Sequence, residues 1–229
     1  MAVSERWFYR GTEGFLGDEA NCKLLFLMRE PNCGKGQLAP ENYFWFKHVV
    51  HGEKLKLGDC YLSKLGRIAA LITDSKEASI NEGWVSALQR AIYININPVS
   101  GEGVKSDDYR EALENFGKGP RTDCYIQGNS YTNRWTILLN LPDESVIVTT
   151  GDIYTVMHDW LKESGAIIPE SAPLCLTIRT PRGECPMNSF VFTHKGKKIT
   201  VMETYHPASR GKNSFQWNNI TIQRNNFKR

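Results

Sequence analysis

Two rhythms of apolar and polar positions run along this chain. The first clear element is Lys23-Leu24-Leu25-Phe26-Leu27-Met28. A continuous apolar run of this length predicts a strand covered on both faces. It gives way to Arg29-Glu30-Pro31-Asn32-Cys33-Gly34-Lys35-Gly36, a loop by its Pro and Gly content. Apolar residues then recur at helical spacing over residues 60–72 (Leu62, Leu65, Ile68, Ala69, Ile72) and 79–91 (Trp84, Val85, Leu88, Ala91), predicting two helices. A second strand, Ala91 to Pro98, leads into the Gly-containing loop Val99 to Gly103, and Ser106-Asp107-Asp108 can cap a helix over Tyr109 to Phe116. The third strand, Ser145 to Thr150, turns at Gly151-Asp152 into a helix from Ile153 to Glu163. The fourth, Lys198 to Glu203, reads as the second arm of a hairpin with Ser189 to Thr193, joined through Lys195-Gly196-Lys197. Strands alternating with helices and loops, without internal repeats, predict an α/β domain around a mostly parallel, four-stranded central sheet.

Composition narrows this picture. A chain of 229 residues, 41% hydrophobic and 23% charged, suits one buried core, so a single domain over 1–229 is expected. No run of about 18 apolar residues occurs, and Met1 to Trp7 lack the pattern of a signal peptide. A soluble, cytoplasmic, monomeric protein without a membrane partner is the expectation. Six scattered cysteines (Cys22, Cys33, Cys60, Cys124, Cys175, Cys185) form no Cys-x-x-Cys pair, and no metal or other cofactor is expected. Charge is distributed unevenly. Residues 1–178 hold 18 Lys/Arg against 23 Asp/Glu, whereas residues 179–229 hold 10 against 2. This basic, Asn-rich end reads either as a solvated tail or as a face that meets phosphates.

The candidate chemistry gathers at strand ends. Thr204-Tyr205-His206-Pro207-Ala208-Ser209-Arg210-Gly211 puts a histidine where the fourth strand leaves the sheet, inside the basic region. Glu30 follows the first strand, and Asn95 and Asn97 end the second. Loops at the carboxyl ends of parallel strands lie along one edge, where open α/β sheets bind ligands, so these residues can share a cleft. A carboxylate orients or deprotonates water, Asn pairs in-plane with a polar ring edge, and His stabilises developing negative charge. Other chemistries are poorly served. The chain has no Gly-x-Ser-x-Gly, no Gly-x4-Gly-Lys-Ser/Thr beside Lys35, and no Gly-x-Gly-x-x-Gly after a strand.

Leu24 to Asn32, an apolar strand followed by a loop with an acidic residue and proline, resembles the first motif of the uracil-DNA glycosylase superfamily. Tyr205-His206-Pro207-Ala208-Ser209 resembles its second, a His-Pro-Ser type loop. Ile94-Asn95-Ile96-Asn97 is similar to the strand whose terminal asparagine reads the base, and Val146 to Gly151 to its third core strand. The resemblance spans roughly residues 20–215 and implies a three-layer α/β/α fold that hydrolyses the N-glycosidic bond of a damaged or unusual base in DNA, without metal. On that likeness Glu30 activates water, His206 donates to the departing base, and Asn95 or Asn97, with Asn95 preferred, binds its Watson-Crick edge. Tyr43 or Phe44, within Tyr43-Phe44-Trp45-Phe46, stacks on the base, while Ser209, Arg210 and Lys212 meet the DNA backbone. The first motif departs from the family in one respect: Met28-Arg29 stands where a small residue commonly begins it, which would narrow the entrance to a base pocket.

Other readings of the same residues remain open. Glu30 can cap a helix or sit in an ion pair, the asparagines can form turns, and the aromatic run can be core. At the level of function the alternatives are a non-catalytic nucleic-acid-binding module on the same fold and a hydrolase of free nucleosides or nucleotides.

Overall fold

In the computed structural model the described residues are 9–10, 23–29, 60–73, 87, 91–96, 107–119, 124–126, 129–131, 134–168, 174–180, 183–186, 188–204 and 220–224. Their elements run β1 (Tyr9–Arg10), β2 (Leu24–Met28), α1 (Cys60–Thr73), β3 (Ile92–Asn95), α2 (Asp107–Gly117), β4 (Cys124–Ile126), β5 (Asn129–Tyr131), α3 (Arg134–Leu139), β6 (Ser145–Thr150), α4 (Gly151–Glu163), β7 (Leu174–Thr180), β8 (Gly183–Pro186), β9 (Ser189–His194), β10 (Lys197–Thr204) and β11 (Ile220–Arg224).

The main sheet has the order β1-β3-β2-β6-β10-β9. Its four central strands, β3, β2, β6 and β10, are parallel, as the apolar runs predict. The sheet is wider than the four strands expected, because short β1 and the hairpin arm β9 close its edges in antiparallel fashion. All five residues of β2 and all six of β6 are buried, the mark of strands covered on both sides. The β9–β10 hairpin turns at Lys195 and Gly196, with φ of 50° and 79°. Two successive left-handed residues make the tight turn whose twist matches its strands.

One face of the sheet carries the main core. Leu25, Leu27, Ile147, Ile199, Val201, Phe190 and Phe192 pack with Ala112 and Phe116 of α2, Trp135 and Leu138 of α3, and Ile153, Met157 and Leu161 of α4. Trp135 centres this layer: it stacks on Phe116 at 4.8 Å, meets Trp160 at 4.3 Å, and donates its indole N–H to the Phe116 carbonyl at 2.6 Å. That bond satisfies the one polar atom of a fully buried ring. The opposite face presents Leu24, Phe26, Met28, Val146, Val148 and Met202, also buried, and α1 packs on β2 there.

Two small sheets were not anticipated from the sequence. One pairs β4 with β5; the other has the order β11-β7-β8, with β7 touching β10 and β11 touching α1. Pro186 lies on β8, the edge strand of this small sheet, the place where a residue without an N–H is tolerated. Within the basic end, Ile220–Arg224 forms a strand paired along β7. Within 79–91, Ala87 is helical and buried and Ala91 is buried; the other residues of that expected helix lie outside the described residues.

Candidate functional site at the carboxyl edge

The four parallel strands end level with one another. Asn95 pairs with Met28, Leu27 with Thr149, and Thr150 with Thr204, so β3, β2, β6 and β10 stop in one row. Adjacent strands are about 4.8 Å apart, which puts the ends of β2 and β10 roughly 10 Å from one another. The order of these strands makes β2 and β6 the place where the winding reverses: the chain leaves β2 for β3 on one side and later returns to lay β6 on the other. Ligands of open α/β sheets bind outside such a switch point.

A polar cluster stands at that point. Arg29, the first residue after β2, donates from Nε to both carboxylate oxygens of Asp152, at 3.1 and 2.9 Å. Thr150 donates its hydroxyl to the same carboxylate at 2.6 Å, and the Tyr109 hydroxyl of α2 donates to it as well. Residues 123 positions apart in sequence therefore meet between neighbouring strand ends. The pair is half-buried, with side-chain exposures of 28% for Arg29 and 25% for Asp152.

Electrostatics fixes what this cluster can do. Burial alone would raise the Asp152 carboxyl, but hydrogen bonds from Thr150 and Tyr109 and the Arg29 charge outweigh it, holding the group below its ordinary range. Its place in the first turn of α4 adds the favourable end of the helix dipole. Burial, then the neighbouring Asp152 charge, pushes the Tyr109 hydroxyl far up. An ionised carboxylate already accepting from three side chains is a poor general base, and a phenol with a raised pKa stays protonated. The cluster holds geometry rather than moving protons.

Glu203 completes the edge on β10. Its carboxylate accepts from Asn188 Nδ2 at 2.7 Å, and its Oε1 would lie 2.6 Å from a Cβ at Gly151. A side chain at the start of α4 would require the Glu203 carboxylate to shift. Burial, and secondarily the Glu203 charge, pushes the hydroxyl of nearby Tyr154 up to about 12. Two carboxylates, Asp152 and Glu203, thus crowd the N-terminus of α4. Beside them Thr204, 1% exposed, keeps its hydroxyl oxygen buried, with no hydrogen-bond partner among the described residues.

Of the residues singled out in the sequence, Asn95 is placed by its backbone at the end of β3, opposite Met28. Glu30, Tyr43, Phe44, Asn97, His206, Ser209, Arg210 and Lys212 lie outside the described residues. Met28 is buried within the sheet at 1% exposure, and Arg29 is drawn to Asp152. Asp152, Tyr109 and Glu203 were missed. The signal for Asp152 was present, because a carboxylate just past a strand is the pattern that singled out Glu30. Among the described residues no group of three or more His, Cys, Asp or Glu is arranged to hold a metal, and no helix is long and apolar enough to cross a membrane.

No protein-family model, curated protein or solved structure matches the chain.

Proposed function

We propose that the protein hydrolyses the N-glycosidic bond of a damaged or unusual base in DNA, on a three-layer α/β/α domain of the uracil-DNA glycosylase type. The observation that carries this reading is the level ending of the four parallel strands. Glu30 follows Met28 by two residues, Asn97 follows Asn95 by two, and His206 follows Thr204 by two, so the three loops start from one row. The ends of β2 and β10 are separated by about the length of one nucleoside, two strand spacings.

The chemistry assigns a task to each group. As the bond breaks, the base leaves with negative charge and the sugar becomes cationic. Glu30 directs water at the sugar and His206 donates to the base oxygen, interactions that strengthen in the transition state. Asn95 or Asn97 reads the Watson-Crick edge, and Tyr43 or Phe44 stacks on the extruded ring. Extrusion costs a few kcal/mol, offset by stacking and by Ser209, Arg210 and Lys212 on the phosphates.

The N-terminus of α4 favours a base over a free nucleotide at this edge. A helix N-terminus at a switch point is a ready phosphate site, yet here Asp152 and Glu203 already supply two anions. With Asp152 held by Arg29 and Glu203 beside it, the helix start is already supplied with carboxylates that a mononucleotide phosphate would have to displace.

The test is incubation of purified protein with oligonucleotides carrying uracil, hypoxanthine, xanthine or alkylated bases. An abasic site is expected in at least one, suppressed about 100-fold or more in Glu30→Ala or His206→Ala. Salt-dependent binding with no abasic product from any base would instead mark a non-catalytic binding module. Cleavage of free nucleosides, unchanged on neutralising Arg210 and Lys212, would mark a nucleoside hydrolase.

A further inference from the structure

We propose that the protein forms a two-fold dimer, in place of the monomer expected from the sequence, by pairing the outer edge of β9 with that of a second copy. The two main sheets then join into one. The strand's own ladder fixes which backbone groups it offers. Glu203 N donates to the Asn188 carbonyl at 2.8 Å, and the register onto β10 then runs without a break from Ser189 to His194. Bonding alternates along an antiparallel pair, so Phe190, Phe192 and His194 direct their N–H and C=O groups at β10. Val191 and Thr193 turn theirs outward. Among the described residues no other element lies along that side of β9, and none supplies a hydrogen bond to these four groups.

The other sheet edges are protected. β1 is two residues long, β8 carries Pro186, and β11 lies against α1. Short strands, proline and a covering helix are means of keeping an edge from pairing. β9 has none of them: from Ser189 to Thr193 it holds no proline and no charge, and its register shows no bulge. Phe190 and Phe192 are fixed in the core at 2% and 1% exposure, so the edge is preformed and little ordering is needed on association.

Symmetry and charge name the occupant. A two-fold axis at Phe192 sets Val191 against Thr193 of the second copy, and in that register all four outward groups bond one another. It also brings the cationic turn from Lys195 to Lys197 of each copy to the opposite end of β9, where Asn188 donates to the Glu203 carboxylate at 2.7 Å. Two strand spacings, about 10 Å, separate Glu203 from the opposing turn, a span that a lysine and a glutamate side chain close together. Unlike charges therefore meet twice, once on each side of the axis. His194 of the second copy comes opposite Phe190, which Tyr154 and His158 already meet edge-on at 5.1 and 5.2 Å. Antiparallel partners share a face, so this adds a ring to an existing aromatic group.

The experiment is sedimentation equilibrium of the full chain over a rising concentration series, with amide exchange read at both ends of it. A monomer–dimer equilibrium is expected, in which the Val191 and Thr193 amides gain about 10-fold or more protection at high concentration while those of Phe190 and Phe192 are protected throughout. Val191→Pro removes an outward N–H without touching the β10 ladder, and is expected to weaken the dimer about 10-fold or more. Lys195→Gln should weaken it about 3-fold and reduce its dependence on salt. Should a lowered thermal midpoint show that Val191→Pro disturbs the fold, Thr193→Lys, at an exposed position, reads the same edge and is expected to weaken the dimer to a similar degree. A monomer at every concentration overturns the proposal. So does a dimer that these variants leave at wild-type strength while the Val191 and Thr193 amides exchange freely.

Discussion

The two edges of the central sheet are built from the same kinds of residue and do different things. At the amino edge Lys23 pairs with Glu144 at 3.4 Å, with both side chains more than half exposed, and Asp143 accepts the backbone N–H of Lys198 at 2.7 Å in open solvent. Val146 N to the Lys23 carbonyl starts the ladder there. Each contact ties neighbouring segments and could be lost singly. At the carboxyl edge Arg29, Tyr109, Thr150 and Asp152 form one half-buried network drawn from four segments, and Glu203 crowds the same helix start. Solvent screens the first set strongly and the half-buried second set less. Polar groups that are removed from water and made to converge constrain geometry, whereas the exposed ones chiefly keep the surface soluble.

Single substitutions sharpen the contrast, beginning with the largest effect. Asp152→Ala should lower unfolding free energy by about 2 kcal/mol in urea melts, since it removes the acceptor shared by Arg29, Thr150 and Tyr109. A loss as small as that from an exposed pair would erase the distinction between the edges. The same group sets a pH signature. Its folded pKa lies below the value near 3.8 of an ordinary aspartate, so its stabilisation is present above that value and fades as pH falls through the folded pKa. The stability gap between wild type and Asp152→Asn should therefore close on acidification below pH 3.8. Asp143, also lowered, chiefly by the Lys198 backbone N–H, titrates in the same direction, so Asp143→Asn is the control from the other edge.

Thr204→Val should raise stability by about 1 kcal/mol, because it removes a buried hydroxyl with no partner among the described residues. A drop in thermal midpoint would show that the hydroxyl is paired in solution. Smallest of all, Lys23→Ala should change stability by less than about 0.5 kcal/mol, and 0.5 M NaCl should abolish even that difference.

The strands of the main sheet were legible because burial on both faces writes a continuous apolar run. Ser145–Thr150 matches its expected bounds, and Leu24–Met28 differs from them by one residue. The hairpin was legible because Lys195-Gly196 supplies the left-handed turn its short loop demands. The β11-β7-β8 sheet was not, although Leu174–Thr180 alternates apolar and polar, because its partner Gly183–Pro186 carries turn residues and Ile220–Arg224 sits within a basic, Asn-rich stretch. At the site, sequence reading found strand ends but not their cross-links. Nothing in the sequence links Arg29 to Asp152 until the register of β2 on β6 brings them together, and that register is a property of two strands more than a hundred residues apart. The level ending of four strands is likewise invisible in any one of them.

The most direct measurement of the central claim compares one substitution from each edge in the same assay: the single-turnover rate of abasic-site formation for wild type, Glu30→Ala and Lys23→Ala on the base-containing oligonucleotides. The account predicts an abasic product from wild type, an undiminished rate in Lys23→Ala, and a loss of about 100-fold or more in Glu30→Ala. No product from any base, or a Glu30→Ala rate equal to wild type, would contradict it.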